Sequence, residues 1–188
     1  MAKSKKRDDI LKSALKLIVQ HDLEHTSMDM IAKDARVGMG TIYNYFPSKE
    51  VLINELYREL VVQLKGAILN NRTDAVPLRE QFFNLMRNKF YFYLEHLEIA
   101  QFVELYSYSP IITPEVQALA WEIWQIPVHL MDEGRKQQII KDLPIEMLIS
   151  LGSSPVFSLV KEHSQGRIQL DAPLIEAAIT ACWDAIKR

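Results

Sequence analysis

A short segment, residues 39–45, carries the side chains best suited to chemistry on another molecule. Thr41 offers a hydroxyl and a methyl group, Tyr43 a ring with a phenol, and Asn44 an amide that matches the edge of adenine. In a helix these groups lie away from the apolar Ile42. Such a set is suited to hydrogen bonds and apolar contacts with base edges in the major groove of DNA.

A second short helix is predicted immediately before this segment. Thr26 or Ser27 can cap it by accepting a hydrogen bond from a free backbone N–H, and Asp29 is favourable at its positive end. Apolar residues recur at helical spacing, namely Met28, Ile31, Ala32 and Ala35 before the turn and Val37, Ile42 and Phe46 after it. The pattern predicts a helix-turn-helix whose second helix enters the major groove. The alternative is an exposed helical hairpin in an ordinary bundle, and exposed aromatic residues on so short a helix argue against it.

The stretch Ile31-Ala-Lys-Asp-Ala…Val37…Gly40-Thr-Ile-Tyr-Asn-Tyr-Phe-Pro-Ser-Lys-Glu50 resembles the DNA-binding signature of the tetracycline-repressor (TetR) family, over residues 7–57. The resemblance implies a homodimeric, all-helical, ligand-responsive regulator, usually a repressor. By matching position it implies DNA contacts by Thr41, Tyr43, Asn44, Tyr45 and Lys49. The predicted interface also includes Thr26, Ser27, Arg36 and Gly40. Gly40 has no side chain, so backbone can approach backbone there.

Two positions depart from the family pattern. Arg36 stands at a turn position that is commonly glycine, and a positive φ there would cost about 1 kcal/mol. Arg36 either reaches a phosphate or is simply solvated. Gly38 caps the second helix slightly less well than serine would, and Met39 replaces a polar residue that is frequent in the family.

Composition bounds the organisation of the chain. Its 188 residues are 48% hydrophobic with six glycines, which favours a well-packed all-α protein. We expect a three-helix DNA-binding domain at residues 1–50 and a ligand-binding and dimerisation domain at residues 51–188. The net charge of −2 does not by itself indicate nucleic-acid binding. A basic arm of Lys3, Lys5, Lys6 and Arg7 is either an auxiliary phosphate contact or a solubilising tail.

About nine helices are predicted. Beyond the helix-turn-helix they cover residues 6–20, 48–69, 76–96, 98–106, 114–136, 144–163 and 172–188. Pro127 and Pro155 should bend the helices that contain them. The last two helices carry more apolar and small surface than one core requires, so we expect them to form a four-helix dimer interface. That interface would include Ser150, Ser154, the neighbouring Phe157–Ser158 pair, Ile175, Ile179 and Trp183; burial within the monomer is the alternative.

A ligand pocket is predicted from aromatic residues that could line a space between helices. Its proposed lining is Phe82, Met86, Phe90, Phe102, Glu104, Tyr106, Trp121 and Trp124. Such a lining would favour a small apolar or amphipathic ligand. Simple core packing is the alternative, because aromatic residues at helical spacing are most often core.

No catalytic motif, cofactor motif or metal-ligand spacing is recognisable, and we predict that the protein is not an enzyme. His21 and His25 flank a turn, which disfavours a metal site. Cys182 is a lone cysteine on an apolar face, as expected of a buried thiol in a reducing cytoplasm. No membrane segment or signal peptide is predicted. The prediction is therefore a cytoplasmic, nucleoid-associated bacterial repressor; an effector-independent structural DNA-binding protein and a partner-dependent activator are the alternatives.

Overall fold

The computed structural model describes residues 2–71, 73 and 75–188, without the side chains of residues 2–4 and Ile123. These residues form ten α-helices and no sheet, which confirms the predicted all-helical class. The helices are α1 (Ala2–His21), α2 (Met28–Asp34), α3 (Met39–Tyr45), α4 (Lys49–Ile68), α5 (Leu78–Glu95), α6 (Leu97–Tyr106), α7 (Pro114–Lys136), α8 (Ile145–Gly152), α9 (Pro155–Ser164) and α10 (Ala172–Ile186).

The described helices number ten, rather than about nine, because the predicted helix over residues 144–163 is two helices. The first ends where the N–H of Ser153 donates to Ile149 O, and the second begins at Pro155. Proline has no N–H to donate and is favoured at the first position of a helix, so it starts α9 rather than bending a continuous helix. Pro127 does lie inside α7, as expected.

The basic segment at the N-terminus is helical rather than an extended arm. Helix α1 begins at Ala2, and the guanidinium of Arg7 donates to the carboxylates of Glu55 and Glu59 on α4. The same group lies 5.7 Å from the centre of the Phe46 ring. Arg7 therefore ties α1 to α4. Lys3 has its side chain outside the described residues.

The chain divides into two compact units that do not follow chain order. Unit 1 comprises residues 1–62 and 98–120, and unit 2 comprises residues 63–97 and 121–188. Unit 1 thus contains two stretches of the chain. The first holds the three N-terminal helices and most of α4, and the second holds α6 and the start of α7. The proposed boundary at residue 50 separates the chain differently and stays a prediction. No helix within the described residues is long and apolar enough to cross a membrane.

Candidate DNA interface and effector unit

The start of the helix-turn-helix is fixed by Ser27. Its side-chain oxygen accepts a hydrogen bond from the N–H of Met30 at 3.2 Å, which satisfies one free donor of α2. Thr26 is instead fully buried, and its hydroxyl donates to Asp22 O at 2.7 Å. The Thr26 side chain closes the turn before α2, and a DNA contact by this residue stays a prediction.

The turn between α2 and α3 places Arg36 in the left-handed region, at φ 56°. This is the conformation for which glycine is favoured, so the departure from the family pattern has a conformational cost. The N–H groups of Arg36 and Val37 donate to Lys33 O and Ala32 O, so the backbone of the turn is hydrogen-bonded. The Arg36 side chain is exposed beside the start of α3.

Helix α3 buries one side and exposes the other. Ile42 is fully buried, and Phe46 behind it is also buried. Met39, Gly40, Tyr43 and Asn44 are exposed, and Thr41 and Tyr45 are half-buried. Tyr43 is 47% exposed, so its ring and phenol are accessible to a partner. The structure therefore brings the predicted base-reading residues to one surface.

Lys49 lies at the first turn of α4 but does not point freely outward. Its ammonium group donates to the carbonyl oxygen of Leu23 in the turn between α1 and α2. The N–H of Leu23 donates in turn to the hydroxyl oxygen of Tyr106 on α6 at 3.2 Å. The α1–α2 turn is thus held by both α4 and α6.

A buried amide extends this framework. Asn54 Nδ2 donates to Glu50 O and Ile111 O, each at 2.8 Å, and Asn54 Oδ1 accepts from the N–H of Thr113 at 2.7 Å. One side chain therefore joins α4 to the loop between α6 and α7. The sequence analysis missed it, although a polar residue between Leu52, Ile53 and Leu56 on an apolar helix face is a visible signal.

Two charge pairs lie close to the helix-turn-helix, and neither involves a residue of α3. Lys16 contacts Asp34 at 2.6 Å, and hydrogen bonds from Lys16 and Ser13 lower the pKa of Asp34. Lys33 contacts Asp29 at 2.6 Å along α2. These pairs neutralise part of the positive charge near α3, so Lys16 and Lys33 have partners within the protein.

This helix-turn-helix geometry agrees with two family comparisons. Residues 10–56 match the model described as bacterial regulatory proteins, tetR family, and residues 77–187 match the model described as tetracyclin repressor-like, C-terminal domain. The chain belongs to the TetR family. It is a helix-turn-helix transcriptional regulator that binds DNA, and the family is not enzymatic.

Relatives of this TetR-family regulator match over nearly its whole length. An HTH-type transcriptional regulator of Haemophilus influenzae is 22% identical over 187 residues, covering 100% of this chain and 98% of the relative. YhgD of Bacillus subtilis, also an HTH-type regulator, is 28% identical over a stretch that covers 82% of this chain and 84% of the YhgD chain. The crystal structure of a TetR family regulator from Marinobacter aquaeolei VT8 has a TM-score of 0.89 at 27% identity, covering 98% and 96% of the two chains.

The predicted ligand-pocket residues of this TetR-family chain are distributed over both units. Phe102, Glu104 and Tyr106 belong to unit 1, whereas Phe82, Met86, Phe90, Trp121 and Trp124 belong to unit 2. Phe82, Met86 and Phe90 are fully buried, while Trp121 is 61% exposed. Phe82 packs against Trp183 with ring centres 5.3 Å apart. The burial of Phe82, Met86 and Phe90 is compatible with the alternative of simple core packing, and the pocket lining stays a prediction.

A cleft in unit 2 is lined by other residues. It has a cavity volume of about 20 Å³, enough for about one water molecule, and it is open to solvent on one side. Four apolar side chains, four amide side chains and one threonine line it: Ile68, Leu85, Ile126 and Leu130, with Asn70, Gln81, Asn84 and Asn88, and Thr73. The Asn88 amide donates to Ile68 O and Asn70 O at 3.0 and 2.9 Å, which holds the end of α4 against α5. The sequence analysis passed over these amides in favour of aromatic residues.

The residues predicted for a dimer interface are also divided. Ile175, Ile179 and Trp183 are buried inside unit 2, which agrees with the alternative of burial within the monomer for these side chains, and the dimer interface stays a prediction. Ser150 and Ser154 are exposed, and the adjacent Phe157 and Ser158 are half-buried and exposed respectively. The sequence did not separate an inward from an outward face of α10, because both contain small and apolar residues.

A buried cation stands next to this region. The ammonium group of Lys89, on α5, donates to Ser153 O and Ser153 Oγ at 3.2 and 3.1 Å, at the junction of α8 and α9. Its neighbour Arg87 contacts Glu176 on α10, with Nη2–Oε2 at 2.7 Å, and this pairing lowers the pKa of Glu176. Buried Cys182 lies in the same unit, and burial raises the pKa of its thiol. No group of three potential metal-ligating side chains occurs among the residues that the structure describes.

Proposed function

We propose that this regulator is a homodimeric repressor that binds a pseudo-palindromic operator and is released by a small molecule. Two copies of α3, one from each protomer, would enter successive major grooves about one helical turn apart or slightly more. A bacterial cytoplasm is the expected location, as for the family.

The exposed face of α3 is the observation that carries the proposed reading of DNA. Tyr43 and Asn44 project from a helix whose opposite side is anchored by buried Ile42. Because α3 is short and held by α2 at its back, the exposed groups are positioned by the fold rather than by their own flexibility. Ser27, Arg36, Gly40, Thr41, Tyr45 and Lys49 are the proposed flanking contacts, to bases or phosphates.

A surface on α8 and α10 supports the proposed dimer. Met147, Leu151 and Leu174 are exposed apolar side chains of these helices. Exposed small residues accompany them, namely Ser150, Ser154, Ala177 and Ala181. Small residues allow close approach of helices, and the apolar ones would be removed from water by a second copy. This surface replaces the buried residues that the sequence had indicated.

The cleft of unit 2 is the proposed effector site, and a ligand larger than a water molecule would have to widen it. Its apolar side chains suit an aliphatic or aromatic ligand, and its amides suit a ligand with uncharged hydrogen-bonding groups. Helix α4 begins at Lys49, which donates to Leu23 O, and ends at Ile68, which lines the cleft. A ligand would release DNA only through a difference in its affinity for the DNA-competent and released conformations.

The alternative is a regulator that needs no effector. The complete burial of Phe82, Met86 and Phe90 favours it, because a bundle filled by its own aromatic residues has less room for a ligand. Response to a ligand separates the two proposals, whereas DNA binding is common to both.

The test is binding of the purified protein to fragmented genomic DNA, with and without an extract of cell metabolites. Discrete palindromic sites that are released by the extract support the ligand-responsive repressor, and sites that ignore it favour the alternative. Tyr43→Ala should abolish specific binding. Tyr91→Ala is the matched control, because Tyr91 is equally exposed, at 47%, but lies on α5. Normal operator binding by Tyr43→Ala would contradict the proposed docking.

A further inference from the structure

The recognition helix carries no ionised side chain. From Gly38 to Tyr45 the chain contains glycine, methionine, threonine, isoleucine, tyrosine and asparagine only. The commonest specific contact to guanine in the major groove is a bidentate arginine or lysine, and glutamate or aspartate accepts from cytosine. Helix α3 has neither kind of group, so its means of recognising a G·C pair are limited.

The exposed groups of α3 match an A·T pair better. The Asn44 amide has the donor and acceptor needed for the N6 and N7 edge of adenine. Met39 and Tyr43 present apolar surface, and half-buried Thr41 has a methyl group, all suited to contact with the thymine methyl. We infer that α3 specifies A·T pairs at the centre of each operator half-site, with Asn44 as the adenine-reading residue. This inference rests on the proposed docking of α3 in the major groove.

The nearby cations do not change this assignment. Lys33 is paired with Asp29 at 2.6 Å, and Lys49 donates to Leu23 O. Arg36 lies in the turn before the cap of α3. A base contact from Arg36 would add a G·C preference only beside the α3 positions, and it would disappear in Arg36→Gly.

Gly40 supplies a second, steric observation. A Cβ atom built at Gly40 would meet nothing within 4 Å, so no close packing inside the chain excludes a side chain there. Glycine is nevertheless less favourable than alanine within a helix. The bare backbone lies on the same exposed face as Tyr43 and Asn44, and it gives a thymine methyl or sugar-phosphate backbone room to approach α3 closely.

Selection from a random duplex library tests the base assignment. The full-length protein should enrich half-sites whose central positions are A·T, and Asn44→Ala should lose the preference at one adenine position by about tenfold. M39R should gain a guanine preference at a neighbouring position. Guanine-specific central positions that persist in Arg36→Gly would overturn the inference while leaving DNA reading intact. No enriched sequence at all would overturn the proposed function as well.

Two glycine substitutions test the close approach. Gly66 on α4 is also helical, and a Cβ there would likewise meet nothing within 4 Å. Gly40→Ala and Gly66→Ala should both raise the melting temperature, because alanine is the better helix former. Only Gly40→Ala should weaken binding to the selected duplex, by about tenfold or more. Equal binding by both variants and the parent would show that the space above Gly40 is not used.

Discussion

The N–H of Leu23 donates to the hydroxyl oxygen of Tyr106 across 3.2 Å, joining two residues 83 positions apart in the chain. Leu23 lies in the turn before the helix-turn-helix, and Tyr106 is the last residue of α6. The bond places α6 in the unit that reads DNA. A change at the end of α6 would therefore act directly on the turn that positions α2.

Tyr106→Phe should remove the hydrogen bond between α6 and the α1–α2 turn without leaving a cavity in the core. The ring packs on Phe102 at 4.9 Å, and phenylalanine retains that contact. Loss of the hydroxyl leaves the Leu23 N–H without this acceptor, at a cost of about 1 kcal/mol. Denaturant unfolding measures the loss, and hydrogen exchange at the Leu23 amide should accelerate. Tyr108→Phe, on an exposed side chain, is the control and should change neither quantity.

Asn54→Ala should be among the more destabilising changes in unit 1. It removes three hydrogen bonds from a buried side chain and leaves Ile111 O and the Thr113 N–H without this partner. The expected loss of unfolding free energy is about 2–3 kcal/mol, because each abandoned buried group costs roughly 1–3 kcal/mol. Gln63→Ala, at an exposed position of the same helix, should be nearly neutral in the same denaturation series. A loss below that of Tyr106→Phe would contradict the role given to Asn54.

Arg36→Gly should change the stability of the protein and its affinity for DNA in opposite directions if Arg36 contacts a phosphate. Removing the side chain relieves the left-handed conformation and should raise the unfolding free energy by up to about 1 kcal/mol. If Arg36 contacts a phosphate, operator affinity falls and the slope of log K against log salt decreases by about 0.9. Gln138→Gly relieves a similar conformation, at φ 58°, after α7 and serves as the control. A fall in affinity with an unchanged salt slope would exclude the phosphate contact.

The exposed Asp22–His25 pair predicts a pH-dependent turn. The side-chain bond from His25 Nδ1 to Asp22, at 2.8 Å, is the main cause of the raised pKa of His25. Since the folded pKa exceeds the ordinary value of 6.5, the stabilisation is complete below that value and is lost as pH rises through the folded pKa.

Asp22→Asn tests the cause of that shift. Asparagine tolerates the positive φ of 67° at this position, so the turn should persist. The NMR titration midpoint of the His25 ring should fall toward 6.5. Glu24→Gln should lower it less, because Glu24 raises the pKa of His25 only by the effect of its charge, which is smaller than that of Asp22. Equal midpoints in Asp22→Asn and the parent would contradict the pairing.

Local signals in the sequence were sufficient for most of the helices and for the exposed residues of α3. Capping residues, apolar spacing and the signature around Tyr43 depend on neighbours within a few positions, and the structure follows them. The bounds of α7 were predicted as Pro114 to Lys136 and are observed there. Even the unfavourable φ of Arg36 was anticipated, because the turn geometry demands it whatever residue is present.

Long-range packing was harder to predict. Periodicity showed that α10 is apolar, but it did not distinguish Ile175 and Trp183, which face the core, from Leu174, which is exposed. Thr26 and Ser27 were equivalent as caps in sequence, and only the structure shows that Ser27 caps while Thr26 is buried. Neither Lys89 with Ser153 nor Leu23 with Tyr106 is signalled by spacing, because each pair is brought together by the fold.

A chimera made by exchanging DNA-binding domains between regulators must take into account that unit 1 is built from two separate segments of the chain. A fragment ending at residue 62 would keep all of the helix-turn-helix yet lose Phe102, Tyr106 and the loop carbonyl of Ile111. Tyr57 would lose its packing against Phe102, and Asn54 and Leu23 would lose hydrogen-bond partners. A chimera that borrows this reader should therefore also carry residues 98–120, inserted as a second segment, if the graft is to keep its native support.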